Sequence, residues 1–205
     1  MSGIFEYNGG ICMAMKGNGC VAIACDKRYG MRFATVSSDM PKIFQFGPQL
    51  FVGMCGLTTD INTVHERMKF RTGLYELNEH RPIKPNVLAN MMSKFLCEHR
   101  FGPYFVNPVV AGIHKGKAHV YQMDIIGCLD EKPDFAIGGG TAEEQCVGLA
   151  EQFWKPDMNP DELFEAIAQT ILNGFDRDAL SGWGADVYVI EKDRVTHRQL
   201  KARMD

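Results

Sequence analysis

Two charged residues near the start of the sequence stand where chemistry could occur. Asp26 closes the apolar run CVAIACD, and Lys42 follows Pro41 at the head of KIFQF. An aspartate and a lysine held together beside a strand end can activate a hydroxyl or amine nucleophile. The hydroxyl is missing here, because no serine or threonine lies between Ser2 and Thr35. The same two residues also fit a structural ion pair. Breaking one partner of a buried pair costs about 3–5 kcal/mol, so such a pair persists with nothing to activate.

The elements that must position these residues follow from periodicity. Residues 11–16 and 20–26 are apolar, β-favouring runs separated by Gly17-Asn18-Gly19, which predicts a hairpin. Further short strands are expected at 32–37, 42–46 and 49–55, ended by Gly56, and read together as one antiparallel sheet. The period then becomes helical over 58–78, with Thr58 or Thr59 as the expected cap. Lys84-Pro85-Asn86 opens a second helix, since proline is tolerated in a first turn. Strand patterning returns at 105, with a hairpin around Lys115-Gly116-Lys117 and a strand over 135–139. Thr141-Ala-Glu-Glu144 has capping-box spacing and predicts a helix to about Trp154. Asn159-Pro160-Asp161-Glu162 opens the fourth long helix, and two strands joined near Asp193 close the chain. Strands, helix pair, strands, helix pair, strands is an α+β order. It predicts a four-layer α-β-β-α sandwich forming one domain over residues 1–205.

Composition narrows the function. The 205 residues carry a net charge of −3 with no basic stripe, so no nucleic-acid partner is expected. The start, MSGIFEYNGG, carries no positive charge, and no run nears the roughly 18 apolar residues of a membrane span, so neither leader nor span is expected. The seven cysteines lack C-x-x-C spacing and mostly sit in apolar patterns, which suits reduced core thiols in the cytosol or nucleus. The six histidines lack H-E-x-x-H spacing, so no metal and no cofactor are expected. Gly138-Gly139-Gly140 before a helix resembles an anion-binding turn, but Glu143 and Glu144 would repel phosphate, which leaves a plain strand-to-helix turn. Phe101, Tyr104, Phe105 and Trp154 lie near element ends, where a partner could cover them.

One set of motifs resembles a known family. Gly9-Gly10 before a hairpin, Asp26 in AIACDKR, Lys42 in PKIF, Gly56 in MCG, DRDALSG at 176–182, RFGPY and the closing LKARMD together resemble the beta subunits of the proteasome, across nearly the whole chain. The resemblance implies the N-terminal-nucleophile hydrolase fold. In active members a propeptide is removed, and the freed N-terminal threonine attacks the peptide carbonyl. Matching Ala14-Met15-Lys16 and Asp26 puts Gly10 at the threonine position, so the resemblance implies a non-catalytic subunit.

By the same resemblance Asp26 and Lys42 are vestigial supports, and Asp178 and Ser181 a second supporting pair that could equally terminate the fourth helix. Gly56 stands at an oxyanion donor. The serine that active members place before the third helix falls within Gly138–Gly140 and is absent, while Ser2 falls in the propeptide region. The implied partners are other beta and alpha subunits in stacked heptameric rings, with unfolded polypeptide in the chamber and a cytoplasmic and nuclear location. Asp124 is a candidate acidic wall for a neighbour that cleaves after basic residues, or simply a solvated strand-end aspartate. A cysteine hydrolase using Cys12 after autocleavage is the alternative. Against it, a two-residue offset moves Cys12 about 6–7 Å along the strand from the Asp26–Lys42 register.

Overall fold

A computed structural model describes residues 3–203. Ser2 and the last two residues of LKARMD lie outside the described residues. In chain order the elements are α1 (Phe5–Asn8), β1 (Cys12–Lys16), β2 (Val21–Asp26), β3 (Tyr29–Met31), β4 (Ala34–Ser37), β5 (Ile43–Gly47), β6 (Leu50–Gly56), α2 (Thr58–Glu79) and α3 (Pro85–Glu98). There follow β7 (Val106–His114), β8 (Lys117–Met123), β9 (Leu129–Lys132), β10 (Phe135–Gly138), α4 (Glu143–Phe153), α5 (Pro160–Phe175), β11 (Ala185–Ile190) and β12 (Val195–Leu200).

The early strands do not form one sheet. β1 and β2 join the order β10-β1-β2-β11-β12, β5 and β6 join β5-β6-β7-β8-β9, and β3-β4 is a separate two-stranded ribbon. Local patterning identifies strands but carries no information about which distant strand completes each ladder. β3, β9 and the single turn α1 were not expected, because each is too short to set up a period.

Alternation along the strands builds the layers. On β1 and β2, Met13, Met15, Ala22 and Ala24 face Ile167 and Ile171 of α5 and Cys146 and Ala150 of α4. Their neighbours Cys12, Ala14, Ile23 and Cys25 face Phe51 of β6 and Val109 and Ala111 of β7. On the far side, Val52 and Met54 of β6 meet Ile61, Val64 and Met68 of α2 and Leu88 and Met92 of α3. Three apolar interlayers therefore separate four layers: α4–α5, sheet, sheet, α2–α3. The central strands β2 and β6 are buried along their whole length, which is why their sequences are continuously apolar.

The helix starts divide the expectations. Asn159 caps α5 in a full capping box with Glu162. Neither Thr58 nor Thr59 caps α2; its first N–H groups are met from outside, with Thr58 N–H donating to Asn8 Oδ1 at 3.0 Å. α4 begins at Glu143 without a side-chain cap, and Thr141 is not its capping residue. Of the four aromatics expected to need cover, only Phe101 is open, at 90% exposure. Trp154 donates its indole N–H to Lys16 O, Tyr104 stacks on Phe95, and Phe105 packs edge-on to Phe5.

Candidate functional site

The β1–β2 register sets the site. Cys12 faces Cys25, so Ile11 stands opposite Asp26 at the open end of the hairpin. Ile11 N–H donates to Asp26 Oδ1 at 2.9 Å, and Gly182 N–H to Oδ2 at 3.2 Å. Lys42 reaches in from the other sheet, its carbonyl anchored by Met54 N–H at 2.9 Å, and places Nζ 2.6 Å from Asp26 Oδ1. Both side chains are buried, so this ion pair staples the two sheets. Burial opposes the Lys42 charge, but the Asp26 carboxylate outweighs it and holds the ammonium above the ordinary lysine range. Lys42 therefore keeps its proton at neutral pH and is a poor general base.

Gly10 lies directly against this pair. A Cβ built on Gly10 would sit 2.6 Å from Lys42 Nζ, 3.0 Å from Asp26 Oδ1 and 3.2 Å from Cys55 Sγ. Its φ of +125° is also one that residues with side chains rarely adopt. The space a side chain at position 10 needs is thus already filled. The nearest thiol, Cys55, is no substitute nucleophile. Burial raises its pKa far above the ordinary thiol range against the opposing pull of Lys42, and such a thiol is inert.

A second network flanks the first. Gly10 N–H donates to Thr141 Oγ1 at 3.3 Å, and Gly10 O accepts from Thr141 N–H at 3.0 Å. Thr141 Oγ1 donates to Asp178 Oδ2 at 2.6 Å, Ser181 Oγ donates to the same oxygen at 2.5 Å, and Leu180 N–H donates to Oδ1 at 3.1 Å. Asp178 and Ser181 therefore lie past the end of α5, bonded to each other and to the glycine loop through Thr141. Gly56 sits at φ +134°, where a Cβ would lie 2.1 Å from Phe105 O. Gly138–Gly140 packs against Asn107 and Gly10 O as a strand-to-helix turn with no room for side chains.

Sequence reasoning missed three residues here. Thr141 reads locally as a helix cap, and nothing near it signals a bond to a residue 131 positions away. Asn8 links the segment before Gly10 to the body: its Nδ2 donates to Gly30 O at 2.9 Å while its Oδ1 receives Thr58 N–H. Arg28 is only 1% exposed and donates to Leu180 O, Arg32 O and Thr35 Oγ1. Burial pulls its pKa down, against the opposing fields of Asp26 and Asp178. The stretch up to Gly10 is thereby tied into the fold.

The remaining candidates stand apart. Cys12 is fully buried in mid-sheet, paired with Cys25 on one side and Gly138 on the other, and its side chain faces the intersheet core rather than the Asp26–Lys42 pair. Asp124 is exposed and folds its own loop, its Oδ1 accepting from Ile126 N–H at 3.0 Å and Cys128 N–H at 2.7 Å. Among the described residues no cluster of histidine, cysteine, aspartate or glutamate has metal-binding geometry, and no helix is long and apolar enough to cross a membrane.

Comparison with known proteins identifies the family of the chain. The family model described as proteasome subunit matches residues 6–190. The chain is 53% identical over 204 residues to proteasome subunit beta type-3 of Drosophila melanogaster, covering 98% of this chain and 99% of that one. It is 49% identical to the beta type-3 subunit of Saccharomyces cerevisiae, with both chains covered in full, and 47% identical to that of Caenorhabditis elegans, covering 98% and 99%. With the family model spanning most of the chain and relatives matching end to end, this chain belongs to the proteasome subunit family.

Proposed function

We propose that this chain is a structural, non-catalytic beta subunit of the 20S proteasome core, acting by assembly with other proteasome subunits in protein degradation. The observation that carries the reading is the filled space at Gly10. The position lacks a nucleophile, and the Lys42 ammonium stands where one would begin, 2.6 Å from an added Cβ. The supports have been turned into structure. Asp26–Lys42 joins the two sheets, and Thr141–Asp178–Ser181 holds the glycine loop. An active subunit must release the residues before its nucleophile. Here Asn8 caps α2 from that segment, so cutting it away would remove a helix cap.

On this reading the whole chain, 1–205, acts as one beta-type unit in a seven-membered ring, two such rings stacked between alpha rings, in cytoplasm and nucleus. Its inner surface walls a chamber that takes unfolded polypeptide. Asp124 belongs to this proposal as an acidic wall for a neighbour that cleaves after basic residues. Its Oδ1 is spent on the loop, and the exposed carboxylate still presents its charge.

Native mass spectrometry of the purified complex, followed by the intact mass of this chain, tests the assembly reading. A large hetero-oligomer containing an uncut Gly9–Gly10 bond is expected. A lone species near 23.0 kDa, or a chain beginning at Cys12, would overturn it. Cleavage after arginine by particles carrying Asp124→Asn tests the wall: a slower rate with other specificities intact supports it, and an unchanged rate removes it.

A further inference from the structure

We infer that Cys12 and Cys25 form a modification site, a cross-strand pair of thiols that a small peroxide converts to a disulfide. The two residues stand directly opposite each other on β1 and β2. The next pair along, Ile11 and Asp26, is hydrogen-bonded, with Asp26 N–H donating to Ile11 O at 3.2 Å. At the other end, Gly17 N–H donates to Cys20 O at 3.0 Å, in phase with that pair. Antiparallel ladders alternate, so Cys12 and Cys25 form a non-hydrogen-bonded pair, the closer kind, with Cα atoms about 4.5 Å apart. That lies within the span of about 4.4–6.8 Å that disulfides accept.

Both side chains point to the same face, toward the second sheet. What they meet there is Gly53. A Cβ on Gly53 would lie 2.0 Å from Cys12 Sγ and 3.3 Å from Cys25 Sγ, so the two sulfurs share the space that residue leaves. The Cys25 thiol has only a long contact elsewhere, donating to Lys42 O at 4.0 Å. Cys55 shares the intersheet cluster but sits on β6 by Gly10 and Gly140, not opposite either cysteine in a ladder; Cys20 bonds to Met158 O, Cys146 lies by Gly174, and Cys97 and Cys128 are exposed.

The oxidation balances with hydrogen peroxide. Burial holds the Cys25 thiol well above its ordinary range, so the closed fold is as unreactive here as at Cys55. Once the interlayer opens and water reaches the pair, one thiol gives up its proton, and its sulfur attacks a peroxide oxygen, forming a sulfenic acid and one water. The second sulfur attacks the sulfenic sulfur; the S–O bond breaks, and hydroxide leaves with the second thiol proton as water. Two electrons pass from the sulfurs to the peroxide, and two waters form. Because Cys12 and Cys25 are 0% and 1% exposed, bulky reagents are kept out while peroxide, close to water in size, enters when the interlayer opens. The product stitches the hairpin that carries Gly10 and Asp26.

Full-length protein, freed of reductant, is treated with hydrogen peroxide, then unfolded in N-ethylmaleimide without reduction and mapped by mass spectrometry. The expected result is a Cys12–Cys25 linked peptide, lighter than its dithiol form by two hydrogens and lost on adding reductant. In Cys25→Ala the link disappears and Cys12 is recovered alkylated; Cys12→Ala gives the mirror result should the first variant fail to fold. Recovery of both cysteines alkylated after peroxide, while exposed Cys97 and Cys128 are oxidised, would overturn the inference. A Cys12 link to any other cysteine would do the same.

Discussion

Giving position 10 a side chain is the sharpest perturbation the structure suggests. In Gly10→Ala the new methyl enters a space bounded by Lys42 Nζ at 2.6 Å, Asp26 Oδ1 at 3.0 Å and Cys55 Sγ at 3.2 Å. The first two atoms belong to an ion pair that cannot yield without lengthening its 2.6 Å contact. Overpacking of this kind costs about 1–3 kcal/mol. Holding a non-glycine residue at φ +125° adds about 1–3 kcal/mol. The total is about 2–6 kcal/mol. For a chain of this size each kcal/mol lowers the melting temperature by about 2–4 °C, so a fall of at least about 4 °C is expected. Thermal unfolding followed by circular dichroism measures it. Gly10→Thr should lose at least as much and gain no hydrolysis of fluorogenic peptides, because the added hydroxyl meets a protonated lysine in an uncut chain. A Gly10→Ala variant that melts with the parent would show that the space is open and that Lys42 does not fill it.

Other outcomes follow from the same contacts. Lys42→Met leaves Asp26 buried without its counter-charge and should cost about 3–5 kcal/mol in urea unfolding near neutral pH. The pH dependence has a definite sign. The folded Lys42 pKa lies above its unfolded value, so the pair's contribution is complete below the ordinary lysine range and fades as pH rises through the raised folded value. The gap between wild type and Lys42→Met should therefore narrow as pH rises through the raised lysine value, and a gap that stays constant from neutral to strongly alkaline pH would contradict the assignment. Thr141→Val strands Gly10 N–H and one bond to Asp178, and should cost about 1–3 kcal/mol, with Thr141→Ser recovering most of it in the same denaturation assay. Asn8→Ala removes the acceptor for Thr58 N–H and should cost about 0.5–2 kcal/mol, with faster amide exchange confined to the first turn of α2.

Much of this was readable in the sequence, and the limits have a physical cause. The hairpin that places Asp26, the strand after Lys42 and all four long helices carry period and turn signals within a few residues, and those elements form where expected. Asp178 and Ser181 were found through the resemblance of DRDALSG, not through any local signal, and the structure puts them beside Gly10 by way of Thr141. Thr141 itself was misread. T-x-x-E is the spacing of a capping box, and the competing long-range bonds to Gly10 and Asp178 leave no trace in a window of four residues. Asn8 at the start of α2 repeats the lesson, since its partner Thr58 lies 50 residues on. Arg28 was passed over because a lone arginine after a strand reads as a surface charge; its burial depends on carbonyls at 32 and 180 converging around it. The sheet partners were unreadable for the same reason. A strand's side-chain period says which face is apolar, and not which strand lies beside it.

The central claim is that no attacking group exists at Gly10. Incubation of the purified complex with an epoxyketone inhibitor, followed by intact mass of each subunit, tests it most directly. The account predicts adducts on catalytic neighbours and an unmodified mass for this chain, with the Gly9–Gly10 bond intact. An inhibitor-sized mass increase on this chain would contradict it.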